Sequence, residues 1–140
     1  MTQEEAPSFG FDDAALAALP LVYQPGLCDG QVVMVSGAGS GIGKAIAFLY
    51  ARLGARLVIC GRDRAKLDAC EPWLRRLGSP DVLVQPTDIR RTEAIAELFD
   101  ATYQRFGRLD VQVNNAGGQF PKAALDISPK GWKAVIDNNL

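Results

Sequence analysis

Apolar positions along this chain fall into short continuous runs separated by longer segments with helical spacing. Residues 32–35 (Val-Val-Met-Val) form an uninterrupted apolar run, the pattern of a strand buried on both faces. In residues 42–53, Ile42, Ala45, Ile46, Leu49 and Tyr50 recur every three or four positions, which gathers them on one helical face, and Gly54 follows as a C-terminal cap. Residues 56–60 read as a second strand and residues 64–77 as a second helix, stopped by Gly78-Ser79-Pro80. Residues 82–85 give the third strand. The third helix is expected to start at a Thr92 cap with Glu93 in its first turn, to bury Ile95, Leu98, Phe99, Tyr103 and Phe106, and to close at Gly107. Residues 109–113 give the fourth strand. Ser128 caps a last helix whose Trp132, Val135, Ile136 and Leu140 share a face.

Strands alternating with helices predict βαβ units and a parallel sheet. With right-handed crossovers, the expected α/β architecture is the N-terminal half of a doubly wound Rossmann sheet of strand order 3-2-1-4. The last helix meets no stop signal, so the chain reads as a truncated, N-terminal part of something longer. Residues 1–25 carry no Lys or Arg and are punctuated by Pro20 and Pro25. They are expected to be a flexible, poorly anchored leader, and residues 26–140 the nucleotide-binding half-domain. The leader lacks the basic start of a secretory signal, and its apolar run at residues 14–19 is too short to cross a bilayer.

Composition narrows the chemistry. The 140 residues carry a net charge of −1, with 48% hydrophobic and 22% charged positions, a soluble globular balance with no pull toward nucleic acid or an anionic membrane. There is no histidine, which excludes Cys/His zinc sites and histidine-based triads within these residues, and no metal site is expected. Cys28, Cys60 and Cys70 lie far apart without a C-x-x-C spacing. They read as buried free thiols in a reducing, cytoplasmic compartment.

The first motif is Ser36-Gly37-Ala38-Gly39-Ser40-Gly41-Ile42-Gly43, set between a strand and a helix. Gly37 and Gly41 allow a tight turn and close approach to phosphate, and Gly43 lets the helix lie near the sheet. The free N–H groups at the helix start then face a pyrophosphate. The alternative is a glycine turn with no ligand, but the strand–turn–helix context favours the cradle. A P-loop fails on detail, because its first-glycine position is Ala38 and its Ser/Thr position is Ala45. The second strand ends Cys60-Gly61-Arg62, with no acid at its tip to hold ribose hydroxyls. Arg62 would instead attract a 2′-phosphate, which points to NADP, with NAD as the alternative. Otherwise Arg62 is a solvated loop charge, and Asp63 caps the next helix. Asp88 in Thr87-Asp88-Ile89 is either a turn aspartate or an acceptor for an adenine amine. In Asn114-Asn115-Ala116-Gly117-Gly118, the amides either lock strand ends or touch a ribose.

Gly37-x-x-x-Gly41-x-Gly43, Asp88 and Asn114-Asn115-Ala116-Gly117, in that order over residues 26–140, resemble the short-chain dehydrogenase/reductase family. The resemblance implies that Ser36, Gly37, Gly39, Ser40, Gly41, Ile42 and Gly43 form the pyrophosphate side of the cofactor site. It further implies that Asp88 and Ile89 meet the adenine, that Asn114, Ala116 and Gly117 lie on the ribose side, and that Asn139 is the catalytic asparagine of an Asn-Ser-Tyr-Lys tetrad, with Asn138 the competing alignment. Residues 114–120 and 127–132 are more narrowly similar to peroxisomal trans-2-enoyl-CoA reductase and bacterial citronellol/citronellal dehydrogenase-like members. In them Gln119 and Phe120 would line a substrate entrance, or else form a surface loop with one aromatic anchor. The implied parent is a homo-oligomeric NADP-dependent oxidoreductase acting on a small molecule, an acyl-CoA or a terpenoid alcohol or aldehyde. The family's Tyr-x-x-x-Lys is not found: Tyr23, Tyr50 and Tyr103 have Leu27, Gly54 and Gly107 at the lysine offset. The 140 residues alone are therefore expected to give no hydride-transfer turnover. Two other readings stay open: a non-catalytic dinucleotide-binding module, and an α/β interaction domain that binds nothing.

Overall fold

The structure, a computed structural model, describes residues 10–139. The elements are α1 (Asp13–Ala18), β1 (Val32–Ser36), α2 (Gly41–Arg52), β2 (Arg56–Gly61), α3 (Arg64–Leu77), β3 (Val82–Pro86), α4 (Thr92–Phe106), β4 (Val111–Val113), a 3-10 turn (Ala124–Asp126) and α5 (Pro129–Asn139). The four strands form one parallel sheet in the order β3-β2-β1-β4, as the alternating pattern predicts.

Strand alternation sorts side chains onto two faces. Val33, Val35, Leu57, Ile59 and Val82 point to one face, where Ala47, Phe48 and Ala51 of α2 and Leu67, Cys70 and Leu74 of α3 complete a continuous buried core. Val32, Met34, Val58 and Cys60 point to the other face, where Leu98 of α4 is the buried partner and Phe106 is half-buried. β4 pairs with β1 over three positions, Val33↔Val111 to Val35↔Val113. The bond from Asp110 N–H to Val32 C=O (2.9 Å) extends this contact by one residue.

Several expectations shift locally. Arg91, not Thr92, is the N-cap of α4, and no side chain caps it. Tyr103 points outward, 52% exposed, and the helix buries Thr102 instead, whose hydroxyl donates to Leu98 C=O (2.7 Å). Ile95 and Phe99 are half-buried. On α5 the expected apolar face is uncovered, with Trp132 63% exposed. Ser128 does cap that helix, accepting from Gly131 N–H at 3.1 Å, while Leu140 lies outside the described residues. α3 runs through Pro72, which removes one helical hydrogen bond, yet Leu67, Cys70 and Leu74 keep the helix seated.

Of the segment expected to be a leader, residues 1–9 lie outside the described residues. Its next part holds α1, capped by Asp12, whose carboxylate accepts from Ala15 N–H (2.7 Å). Leu16, Ala17 and Leu21 pack against the main core. Lys44 pairs with Asp13 at 2.7 Å, and Arg52 donates to Leu19 C=O at 2.6 Å, so this stretch is fastened to α2. All three cysteines are buried and free, and burial pushes the Cys60 thiol up to about 12. Among the described residues, no helix is long and apolar enough to cross a membrane.

Candidate functional site

The site lies where β1 is flanked by β2 on one side and β4 on the other, the point at which strand order reverses and ligands of open α/β sheets bind. β1 ends in a turn fastened to β2, with Gly37 N–H donating to Cys60 C=O at 2.8 Å. Gly37 sits at φ +70° and Gly41 at φ +54°, the left-handed region that side chains disfavour. A Cβ on Gly43 would run into the carbonyl oxygen of Gly37 and come within 2.5 Å of Asn115 Nδ2, so α2 starts this close to the turn only because residue 43 has no side chain. Ser40 is the N-cap of α2 and makes no side-chain capping bond. The first N–H groups of a helix have no intrahelical acceptor. Here they open into a cleft of about 940 Å³.

That cleft gathers Gly37, Gly39, Ser40, Ile42 and Gly43 with Arg62 from the end of β2, Ile89 from beyond β3, and Ala116 and Gly117 from beyond β4. Gly41 lies within the same turn. Other residues expected at the site fall elsewhere. Ser36 Oγ donates to Val113 C=O (3.2 Å) and accepts from Asn115 N–H (3.0 Å) and Ala116 N–H (2.9 Å). Its hydrogen bonding is spent tying β1 to the β4 loop. Asn114 is exposed on the opposite side, accepting from Gln112 Nε2 at 2.8 Å. Gln119 and Phe120 are exposed and outside the cleft lining, and the Phe120 ring sits over the start of α5 beside Gly131.

Asp88 stands beside the cleft with Ile89. Arg90 grips its carboxylate through Nε (2.8 Å) and Nη2 (2.6 Å), and Arg90 N–H adds a third bond at 3.1 Å. These bonds, with the positive field of Arg62 behind them, hold Asp88 well below the usual carboxylate range. It is therefore a fixed anion at neutral pH that can accept but not donate. Asn139 is also committed to the backbone. Its Oδ1 accepts from Gly118 N–H (3.1 Å), and its Nδ2 donates to Gly118 C=O (2.9 Å) and Val135 C=O (2.7 Å). It staples the β4 loop to α5, while Asn138 lines the cleft.

Thr87 and Lys66 are among the cleft residues given no role from sequence, while Asn115, expected either to lock strand ends or to touch a ribose, lines the cleft as well. Asn115 Nδ2 donates to Ser36 C=O at 2.9 Å, which locks the β1 and β4 ends together beneath the turn. Strand parity carried the signal. Val111 and Val113 face the core, so Asn115 continues that side, while Gln112 and Asn114 face away.

A protein-family model described as short chain dehydrogenase matches residues 31–140. The chain belongs to the short-chain dehydrogenase family. Among its relatives, the peroxisomal 2,4-dienoyl-CoA reductase [(3E)-enoyl-CoA-producing] of Arabidopsis thaliana is 39% identical over 115 residues, 82% of this chain and 38% of that protein. The citronellol catabolism dehydrogenase AtuB of Pseudomonas aeruginosa superposes with TM-score 0.79 at 38% identity, covering 85% of this chain and 48% of the other. A metagenomic short-chain oxidoreductase in complex with NADP superposes with TM-score 0.72 at 39% identity, covering 79% and 50%. The chain thus spans about a third to a half of the length of the curated short-chain dehydrogenase relatives it matches.

Proposed function

We propose that this chain is the cofactor-binding portion of an NADP-dependent short-chain oxidoreductase, one that moves a hydride to or from a carbonyl, alcohol or enoyl substrate. The observation that carries the reading is the turn at residues 37–43. Two glycines there have positive φ, and a third leaves no room for a Cβ against Gly37 and Asn115. Such a turn brings helix N–H groups and the positive end of the helix dipole to bare backbone, which suits a pyrophosphate. The residues present fit the group. The turn would hold the pyrophosphate, Ser40 would offer a free hydroxyl, and Arg62 would meet a 2′-phosphate. Ile89 would lie along the adenine and Asp88 would accept from its amine, while Ala116 and Gly117 would border the ribose. The bound cofactor supplies the hydride. In this reading Asn139 is a positioning residue that holds the loop at Gly118.

NADP is preferred over NAD because the tip of β2 carries Arg62, whose guanidinium has no ion-pair partner among the described residues, and no acid precedes it. The complex of a relative with NADP supports the same choice. Resemblance to dienoyl-CoA reductase and citronellol dehydrogenase favours an acyl-CoA or a terpenoid alcohol or aldehyde as the substrate class. The uncovered α5 face, Trp132 and Ile136, supports a homo-oligomeric parent. The three free, buried cysteines suit a cytoplasmic setting.

The test is fluorescence titration of the chain with NADPH and NADH, before and after Arg62→Ala. Loss of a charge-assisted bond to phosphate should weaken NADPH by roughly ten- to a hundredfold while leaving NADH nearly unchanged. Equal loss for both cofactors would show that Arg62 does not read the 2′-phosphate.

A further inference from the structure

Three cations line the end of the cleft beyond β2: Arg62, Arg64 and Lys66. They are not equally available. Arg64 is turned along its own helix, its Nε donating to both oxygens of Asp68 at 2.8 and 2.9 Å. Lys66 has one long contact, 3.7 Å from Nζ to Asp63 Oδ2, between two side chains more than half exposed. A pair that long and that exposed contributes little. The other Asp63 oxygen is already engaged as the α3 cap, accepting from Lys66 N–H at 3.2 Å.

The backbone explains why Lys66 reaches the glycine turn. A Cβ built on Gly39 would meet Lys66 Cβ at 3.0 Å, with Leu67 N and the Lys66 carbonyl carbon each at 3.6 Å. The first turn of α3 therefore packs directly on bare backbone at Gly39, one residue before the free hydroxyl of Ser40. A side chain at 39 would press on the lysine stem, which would have to give way by a few tenths of an ångström. Leu67, the next residue, is buried in the core and fixes the height at which Lys66 leaves the helix.

We propose that Lys66 is the second cation of the anion subsite at the adenosine end, acting together with Arg62 to select the 2′-phosphorylated cofactor. This rests on the reading of the cleft as an NADP site. Arg62 follows the β2 tip and Lys66 stands on the first turn of α3 against Gly39, and both line the same cleft, so a dianionic phosphate bound there has two cations within one cleft end. An unphosphorylated ribose gains nothing from either charge.

Isothermal titration of the full chain with adenosine 2′,5′-bisphosphate and with AMP tests this. Lys66→Gln should weaken the bisphosphate about tenfold and leave AMP within about twofold. Lys66→Arg should restore most of the loss, and Lys133→Gln, which removes a cation tied to Asp137 outside this cleft, should change neither ligand beyond about twofold. Unchanged bisphosphate affinity in Lys66→Gln, or a loss shared equally with AMP, would overturn the role of Lys66 while leaving the NADP reading intact. Wild-type chain that binds both ligands alike, or neither, would overturn the NADP reading and this inference with it.

Discussion

The two faces of the sheet are built from the same strands and are held differently. On one face, Val33, Val35, Leu57 and Ile59 lie under two helices, and fully buried Phe48, Leu67 and Leu74 close the layer. On the other, Val32, Met34, Val58 and Cys60 lie under α4, which contributes one buried apolar side chain, Leu98. Toward β4 this second face turns polar, with Gln112 and Asn114 exposed and bonded to each other. Charges supply what packing does not. Arg105 of α4 binds Asp81 at 2.7 and 3.0 Å at the start of β3. Asp110 accepts from Val32 N–H at 2.8 Å where β4 begins, and Arg90 grips Asp88 in the loop before α4. The first face is thus an apolar sandwich that seats the glycine turn. The second depends more on surface ionic links and offers an open strand edge.

Equivalent deletions on the two faces should separate them. Leu74→Ala should cost about 4 kcal/mol and Leu98→Ala about 2 kcal/mol, because a site that can collapse loses less than one held rigidly between two layers. Trp132→Ala on uncovered α5 should stay within about 0.5 kcal/mol. Urea unfolding of the three variants gives the order, and equal losses for the two leucines would erase the distinction.

Acid provides a second, smaller probe. Asp81, Asp88 and Asp110 are each held below the ordinary carboxylate value, chiefly by hydrogen bonds from Arg105, Arg90 and Arg108 respectively. As pH falls, the unfolded chain takes up protons first. The stability these groups contribute is therefore present above about pH 4 and lost as pH drops through their lower folded values. The three side chains stay 22–32% exposed, so solvent screens them in part and the loss is modest and local. Hydrogen exchange between about pH 4 and pH 2 should show α4 and β4 losing protection before β1 and β2. Loss at equal rates across the sheet would mean that the ionic links do not hold the second face.

The order of strands and helices was legible because β1 and the inner part of β2 are apolar on both sides and α2, α3 and α4 each close at a glycine, Gly54, Gly78 and Gly107. The cradle was legible for a different reason: positive φ at Gly37 and Gly41 and the contact at Gly43 require glycine, so the backbone demand is written directly in residue type. Side-chain direction was less legible. Tyr103 and Thr102 differ by one helical step, and their own chemistry does not say which one α4 buries. Asn114 and Asn115 are the same residue type, and only the parity of β4 separates the solvent side from the cleft. Gln119 and Phe120 sit in a loop with no period from which to read a direction. Ser36 could have faced a ligand, but three hydrogen bonds to the β4 end take its hydroxyl. Lys66 was hidden because its place depends on what Gly39 lacks.

The proposed seat of a phosphorylated dinucleotide is the bare turn between β1 and α2, with the ends of β2, β3 and β4 around it. Backbone amide shift mapping during NADPH titration tests it most directly. Saturable shifts are expected at residues 37–44, at Arg62 and Lys66, at residues 87–89 and at residues 115–117, with the C-terminal halves of α3 and α4 unmoved. Shifts centred elsewhere, or none up to millimolar NADPH, would contradict it.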